Sequence, residues 1–157
     1  MNALALKVPP VAQVIITAAA MYGVSKMVPS LTFSLNGSTA LALALAVGLG
    51  VIGMSLGVMG VTQFRIAQTT PNPQALEKVS SLVTSGIYRY SRNPMYLGLV
   101  LILLGWAFYL SHFLAFVLLP VFILYMTRFQ IQPEEQMMAR KFGKTYQAYL
   151  NKVRRWI

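Results

Sequence analysis

Apolar residues in this chain do not alternate with polar ones at a strand's period of two, nor do they recur along one stripe of a helix; they come in long blocks. The first block runs from about Pro9 to Val28, with Lys26 near its end, where a long basic side chain reaches the interface. Lys7 ahead of this block and Ala18-Ala19-Ala20 within it also permit a signal-peptide reading. A short polar turn from Pro29 to Gly37 precedes the second block, about Ser38 to Phe64, which is long enough to span a bilayer with tilt. Gly50, Gly53, Gly57 and Gly60 recur along it at steps of three and four, a small-residue face suited to close helix packing.

The stretch from Gln63 to Asn93 breaks the pattern. Pro71 and Pro73 interrupt helix, Ser80 to Ser85 is polar, and Gly86 marks a turn, so residues 65–93 read as a loop. A third apolar block follows from about 95 to 110, and Ser111-His112 separates it from a fourth, about 113 to 129. These two read as a tight hairpin, each about 17 residues long and therefore short for a bilayer core of about 30 Å, which implies either a thinned bilayer or buttressing by the second helix. The tail from 133 to 156 is of another kind. Met138, Phe142, Tyr146, Tyr149, Val153 and Trp156 share one face, and Arg140, Lys141, Lys144, Lys152, Arg154 and Arg155 the other. Pro133 suits a first turn, and Glu134 and Glu135 suit the positive end of a helix dipole. The fold predicted is an all-α integral membrane protein, one domain over residues 1–157, with about four transmembrane helices and an amphipathic C-terminal helix.

Composition supports this picture: 57% of residues are hydrophobic and only 10% charged. The formal charge of +10, from 13 Lys+Arg against 3 Asp+Glu, raises the question of nucleic acid. Its placement argues against that partner, because the basic residues cluster at the ends of apolar blocks, where they orient a membrane protein and meet anionic lipids. With both termini in the cytoplasm, every basic residue but Lys26 falls inside. The loop ending at Asn93 and the tail beginning near Arg128 then share the cytoplasmic side. Cysteine is absent, so there is neither a thiolate metal site nor a cysteine nucleophile, and His112 stands alone without other metal ligands in sequence. The sequence leaves the oligomeric state open.

The segment Leu82-Val83-Thr84-Ser85-Gly86-Ile87-Tyr88-Arg89-Tyr90-Ser91-Arg92-Asn93-Pro94-Met95-Tyr96-Leu97-Gly98 crowds polar and aromatic residues at the entrance of an apolar helix. Pro94 fits the first turn and Asn93 the cap. Headgroup anchoring by Arg89 and Arg92, with an interfacial belt of Tyr88, Tyr90 and Tyr96, accounts for much of this; a binding site accounts for it equally.

Together with Glu134-Glu135, Phe142-Gly143 and Tyr146-x-x-Tyr149, this segment resembles the isoprenylcysteine carboxyl methyltransferases and their phospholipid methyltransferase relatives. The likeness covers roughly the last 75 residues and rests on the order of the motifs: a Leu-Val-Thr-x-Gly-x-Tyr approach, a helix entrance, an apolar hairpin, paired glutamates and a Phe-Gly helix. It implies a membrane enzyme that uses S-adenosylmethionine to methylate a lipid, a prenylated molecule or a small lipophilic acceptor. Ser80, Ser81, Leu82, Val83 and Tyr88 of the approach, Arg92, Asn93, Pro94, Met95 and Tyr96 of the entrance, and Glu134 are the implied cofactor-binding residues. Asn93 stands where the family has histidine, so it keeps a hydrogen-bonding group but loses a titrating ring. Gln130 stands where the isoprenylcysteine enzymes have a substrate-contacting arginine, four residues before the glutamate, and Arg128 is the nearest substitute.

Methyl transfer from a sulfonium needs alignment and exclusion of water. Tyr88 or Tyr96 could hold the cation for about 0.5 to 2 kcal/mol, and Arg92 or Arg128 could pair with the cofactor's carboxylate. Arg128 and Glu135, the latter as a base, are the candidate catalytic residues. The competing classes are a non-enzymatic transporter or assembly partner, and a reductase with a related hairpin. The spans lack the deep ionisable residue expected of a transporter, and the chain lacks a dinucleotide fingerprint.

Overall fold

The computed structural model describes residue 6 and residues 8–35, 38–70 and 79–157. Within these the chain forms α1 (Pro10–Met27), α2 (Thr39–Ile66), α3 (Pro94–Leu110), α4 (Phe113–Met126) and α5 (Gln132–Lys152). Lys7, Pro71, Pro73 and Glu77 lie outside the described residues. Local chemistry sets several boundaries. Pro10 and Pro94 occupy first turns, where the missing N–H costs nothing. The Ser38 hydroxyl caps α2 by accepting from the Leu41 N–H at 3.3 Å. Ser111 ends α3 in the left-handed region, at φ 47°, its N–H returning to Ala107 and Phe108.

The principal helix contact is antiparallel, α2 against α3. A Cβ on Gly53 would lie 2.5 Å from the Gly98 oxygen and one on Gly105 2.8 Å from the Ala46 oxygen, while one on Gly60 would strike Met95. Backbone therefore meets backbone, the geometry that small residues permit in a lipid solvent. Gly53 and Gly60 carry the contact; Gly50 and Gly57 face open space. The short α3 is thus buttressed by the long α2.

On its other side α3 meets α1 and α4 in a core of Met21, Leu103, Ala107, Ala115, Leu119, Phe122 and Met126, where the Trp106 indole donates to Ala18 O at 3.1 Å. The far end of the bundle is fastened by Phe33 N–H to Ser111 O (2.8 Å) and by the buried His112, whose Nε2 sits 2.8 Å from Val28 O.

The outward faces are apolar and bare. Val11, Ile15, Val51, Met54, Val58, Val121 and Leu124 are each more than half exposed, a surface that water would penalise and hydrocarbon does not. Two helices are long and apolar enough to cross a membrane: α2, and the continuous helix from Phe113 to Lys152 that contains α4 and α5. At 18 and 17 residues, α1 and α3 are shorter than either.

Two sequence expectations about the tail need correction. The glutamates do not sit at a free helix end, because α4 continues through a π-helical turn, Thr127–Ile131, into α5. Pro133 offers no N–H to the Phe129 carbonyl, and the Leu6 N–H bonds to that carbonyl instead, at 3.1 Å. Nor is the tail one continuous amphipathic helix to residue 156. Gly143, at φ 50° and ψ −123°, breaks it, and beyond Lys152 the chain turns extended at Val153. Tyr146, Tyr149 and Val153 are still buried together, with Leu82, Met138, Phe142 and Leu150 packed around them.

Candidate functional site

The approach segment is held to the end of α2 by its serines. Ser81 Oγ donates to Ala67 O (3.1 Å), Ser80 N–H to Thr69 Oγ1 (2.9 Å), and Ser85 Oγ to Gln63 Oε1 (3.1 Å). Gly86, at φ +57°, lies so close to the Gln63 amide that any side chain would collide with it. This turn feeds a short 3₁₀ helix, Gly86–Arg89, which buries Tyr88 with its ring edge-on to Phe64.

At the entrance of α3 the chain meets its own C-terminus. The Arg92 N–H donates to Arg154 O (3.0 Å); its guanidinium reaches Leu150 O (3.3 Å), Val153 O (2.7 Å) and Glu135 Oε1 (2.8 Å). Arg155 grips the same carboxylate with two bonds, at 3.1 and 2.7 Å. Asn93 sits at the cap position but does not cap: its amide donates to Arg155 O at 3.0 Å. The two halves of the sequence constellation therefore meet at one end of the bundle.

Deeper in, Tyr96 OH donates to Glu134 Oε1 at 2.6 Å, and the buried Gln130 amide donates to the same oxygen. The π turn places Gln130 here, the position at which the resemblance led one to look for an arginine. Neutral donors hold Glu134, whereas guanidinium groups hold Glu135. Glu134 lies beyond the apolar stretch of α4, in the first turns of α5. Burial pushes its carboxyl up to about 7, with Glu135 adding slightly and the Tyr96 and Gln130 hydrogen bonds opposing. Burial also pushes the Tyr88, Tyr146 and Tyr149 hydroxyls up, which keeps these rings neutral. Tyr149 OH donates to Tyr88 O at 2.7 Å and so ties the tail to the approach segment.

These groups line a cavity of about 660 Å³, within the range of small-molecule sites. Ser81, Leu82, Val83, Tyr88, Arg92, Asn93, Met95, Tyr96, Glu134 and Glu135 all contribute to its wall. Three of the residues singled out in the sequence do not. Ser80 is exposed and anchors backbone; Pro94 is buried at the helix start; Arg128 is exposed and bonds Gln132 at 3.2 Å. Tyr146, Tyr149, Met138, Leu99 and Val79 also line it, together with a stretch from α1 and α2 that includes Pro10, Val11, Met54, Gly57, Val58, Val61, Thr62, Phe64 and Arg65. The two tyrosines stood in the tail's apolar stripe, and that stripe was the available signal. Nothing in an unbroken apolar block marks which of its faces borders a cavity.

Two buried polar atoms near the polar end have no partner among the described residues: Arg92 Nε and Gln130 Oε1. Nη1 and Nη2 of Arg92 bond the chain itself, and Nε has no partner among the described residues. With one carboxylate held by neutral donors, a spare guanidinium N–H, two aromatic walls and an apolar extension, the cavity suits a ligand that carries both charges and borders on grease.

Comparison with known proteins agrees with this geometry. Over 63 residues, 40% of its length, the chain is 48% identical to an uncharacterized protein of Haemophilus influenzae, and the match spans all of that protein. It is 35% identical over 72 residues to the protein-S-isoprenylcysteine O-methyltransferase of Schizosaccharomyces pombe, a match covering 46% of this chain and 30% of that enzyme. No solved structure matches the chain. Residues 41–145, which run from α2 through the approach segment and the α3–α4 hairpin into α5 just past Gly143, match the phospholipid methyltransferase family. The lipid-facing bundle and its polar cavity thus belong to a member of the phospholipid methyltransferase family, a family of membrane methyltransferases.

Proposed function

We propose that this protein transfers the methyl group of S-adenosylmethionine to a lipid or prenylated acceptor that enters sideways from the bilayer. One observation carries the reading: a single cavity joins a polar end, built by Arg92, Asn93, Tyr96 and Glu134, to an apolar arm walled by Val11, Met54 and Val58, which are themselves exposed on the lipid-facing surface. A water-soluble donor and a lipophilic acceptor each find matching chemistry at opposite ends of one space. In this reading all four apolar helices span the membrane, both termini and the polar end face the cytoplasm, and α3 and α4 cross as a hairpin braced by α2.

The polar end fits the donor group by group. Glu134, held by neutral donors, attracts a cation, and Tyr88 and Tyr96 supply aromatic groups in the same wall. Arg92 lines the cavity and supplies a fixed positive charge for a carboxylate. When bound, the donor supplies an electrophilic methyl on sulfonium. The chain's own work is to hold and align its partners and keep water out: Tyr149, bonded to Tyr88 O, and the Glu135 clamp close the tail over the site. Glu135, taken up by two arginines, serves the clamp. Glu134, whose proton affinity burial raises, is the carboxylate suited to accept a proton when the acceptor atom bears one. Arg128 lies off the cavity wall and acts as an interfacial anchor.

The test is direct. Membranes with and without the protein receive S-adenosylmethionine labelled on its methyl group, and lipids are then extracted. Label in a lipid or prenylated species that depends on the protein, and that falls with Glu134→Ala, is the expected result. Equal label in both membranes overturns the reading.

A further inference from the structure

We infer that Gly57 determines which aliphatic chain the acceptor brings into the cavity; the inference rests on the function proposed above. Three glycines of α2 show why. Gly53 and Gly60 are pressed against α3, and a Cβ on either would collide with Gly98 O or with Met95. Gly57, between them in sequence, would place its Cβ in open space, with nothing within 4 Å, and it lines the cavity. The helix therefore offers a notch where its neighbours offer contact.

Position gives the notch its meaning. A Cβ on Gly60 would approach the Tyr88 hydroxyl and the Met95 sulfur, so Gly60 marks the boundary of the polar end. Gly57 lies three residues further into the apolar block, about 4.5 Å along the axis. Met54 and Val58 continue the wall to the lipid-facing surface, where they are 61% and 59% exposed. A chain running from the reacting end to the bilayer passes Gly57 beside Val58 and Val61, and the missing side chain there leaves open space for a methyl branch beside the main chain. Fatty acyl and isoprenoid chains share this aliphatic chemistry, and the isoprenoid, with its methyl branches, makes fuller use of the notch.

Gly50 is the internal control. It too would place a Cβ in open space on the same helix, but it does not line the cavity. The experiment compares wild type, Gly57→Ala, Gly57→Leu and Gly50→Leu in lipid nanodiscs. Methyl transfer to S-farnesylcysteine and to dioleoylphosphatidylethanolamine is measured beside binding of S-adenosylhomocysteine. For whichever acceptor takes label, Gly57→Leu should lower kcat/KM by about tenfold or more, the scale on which a pocket reads one or two carbons. Gly57→Ala should fall between it and wild type, with the larger loss on the farnesyl acceptor if both are used. S-adenosylhomocysteine affinity and thermal unfolding should stay within about twofold and a few degrees of wild type, as should every readout for Gly50→Leu. Near-wild-type transfer by Gly57→Leu overturns the inference, as does an equal loss from Gly50→Leu. Wild type that binds S-adenosylhomocysteine but labels neither acceptor also overturns it. Wild type that does not bind S-adenosylhomocysteine at all overturns the proposed function itself.

Discussion

The two ends of the cavity are built by different physics. At the polar end the hydrogen-bonding wall groups are fixed by bonds to distant parts of the chain: Arg92 to Leu150 and Val153, Asn93 to Arg155, Tyr96 to Glu134. In the apolar arm the wall side chains named above are apolar; α2 is set by close packing of Gly53 against Gly98, and Val11, Met54 and Val58 are exposed on the outer surface. The difference teaches where precision is stored. Under the proposed function, a donor that must be aligned within tenths of an ångström would meet an over-determined site, and a flexible chain that need only be admitted would meet a gap between helices.

The comparison can be broken first at the clamp. Glu135→Ala leaves the largely buried Arg92 without its carboxylate and the one-third-exposed Arg155 without the same partner, a loss toward the lower end of the about 3–5 kcal/mol typical of broken buried pairs. Thermal unfolding in detergent should show it as a large drop in midpoint, with donor binding lost as well. An unchanged midpoint would mean that the tail is not held by this pair. The next effect belongs to the other end. Gly53→Leu forces α2 away from α3 at a backbone contact, an overpacking cost of about 1–3 kcal/mol, and should lower the midpoint; a midpoint equal to that of wild type would deny the close contact. Smallest is Tyr149→Phe, which removes one hydrogen bond to Tyr88 O and should cost about 0.5–1.5 kcal/mol without abolishing transfer. A larger loss there would make the tyrosine more than a tie between two segments.

Much of the polar end was legible because its residues are out of place in an apolar chain. Arg92, Asn93, Tyr96 and Glu134 stand out at the edges of hydrophobic blocks, and their order carried the family resemblance. The helical, membrane-suited character of the chain was legible from block length for the same reason. What was hidden depended on three-dimensional direction. Gly50, Gly53, Gly57 and Gly60 look alike in sequence, yet two are contacts, one borders the cavity and one faces outward. The junction of α4 and α5 was misread because Pro133 looks like a helix start; a π turn and the Leu6 N–H satisfy the backbone around it, so the helix runs on. The break at Gly143 was hidden because an amphipathic stripe survives a kink when the residues beyond it still find the same neighbours.

The central claim is that the entrance of α3 and the glutamates of α5 together hold a cationic methyl donor, and Glu134 tests it most directly. Its carboxyl, pushed up to about 7 by burial, keeps its proton more firmly in the folded than in the unfolded chain. Its contribution to stability is therefore present at acid pH and lost as pH rises through about 7. Binding of a cation has the opposite sign, since only the ionised carboxylate attracts it. Calorimetry with S-adenosylmethionine in nanodiscs should show affinity rising from about pH 6 to about pH 8 in wild type. Glu134→Gln should bind about tenfold more weakly at the upper pH and show little of this dependence. Equal binding by wild type and Glu134→Gln across that range, or no binding by folded wild type, would contradict the claim.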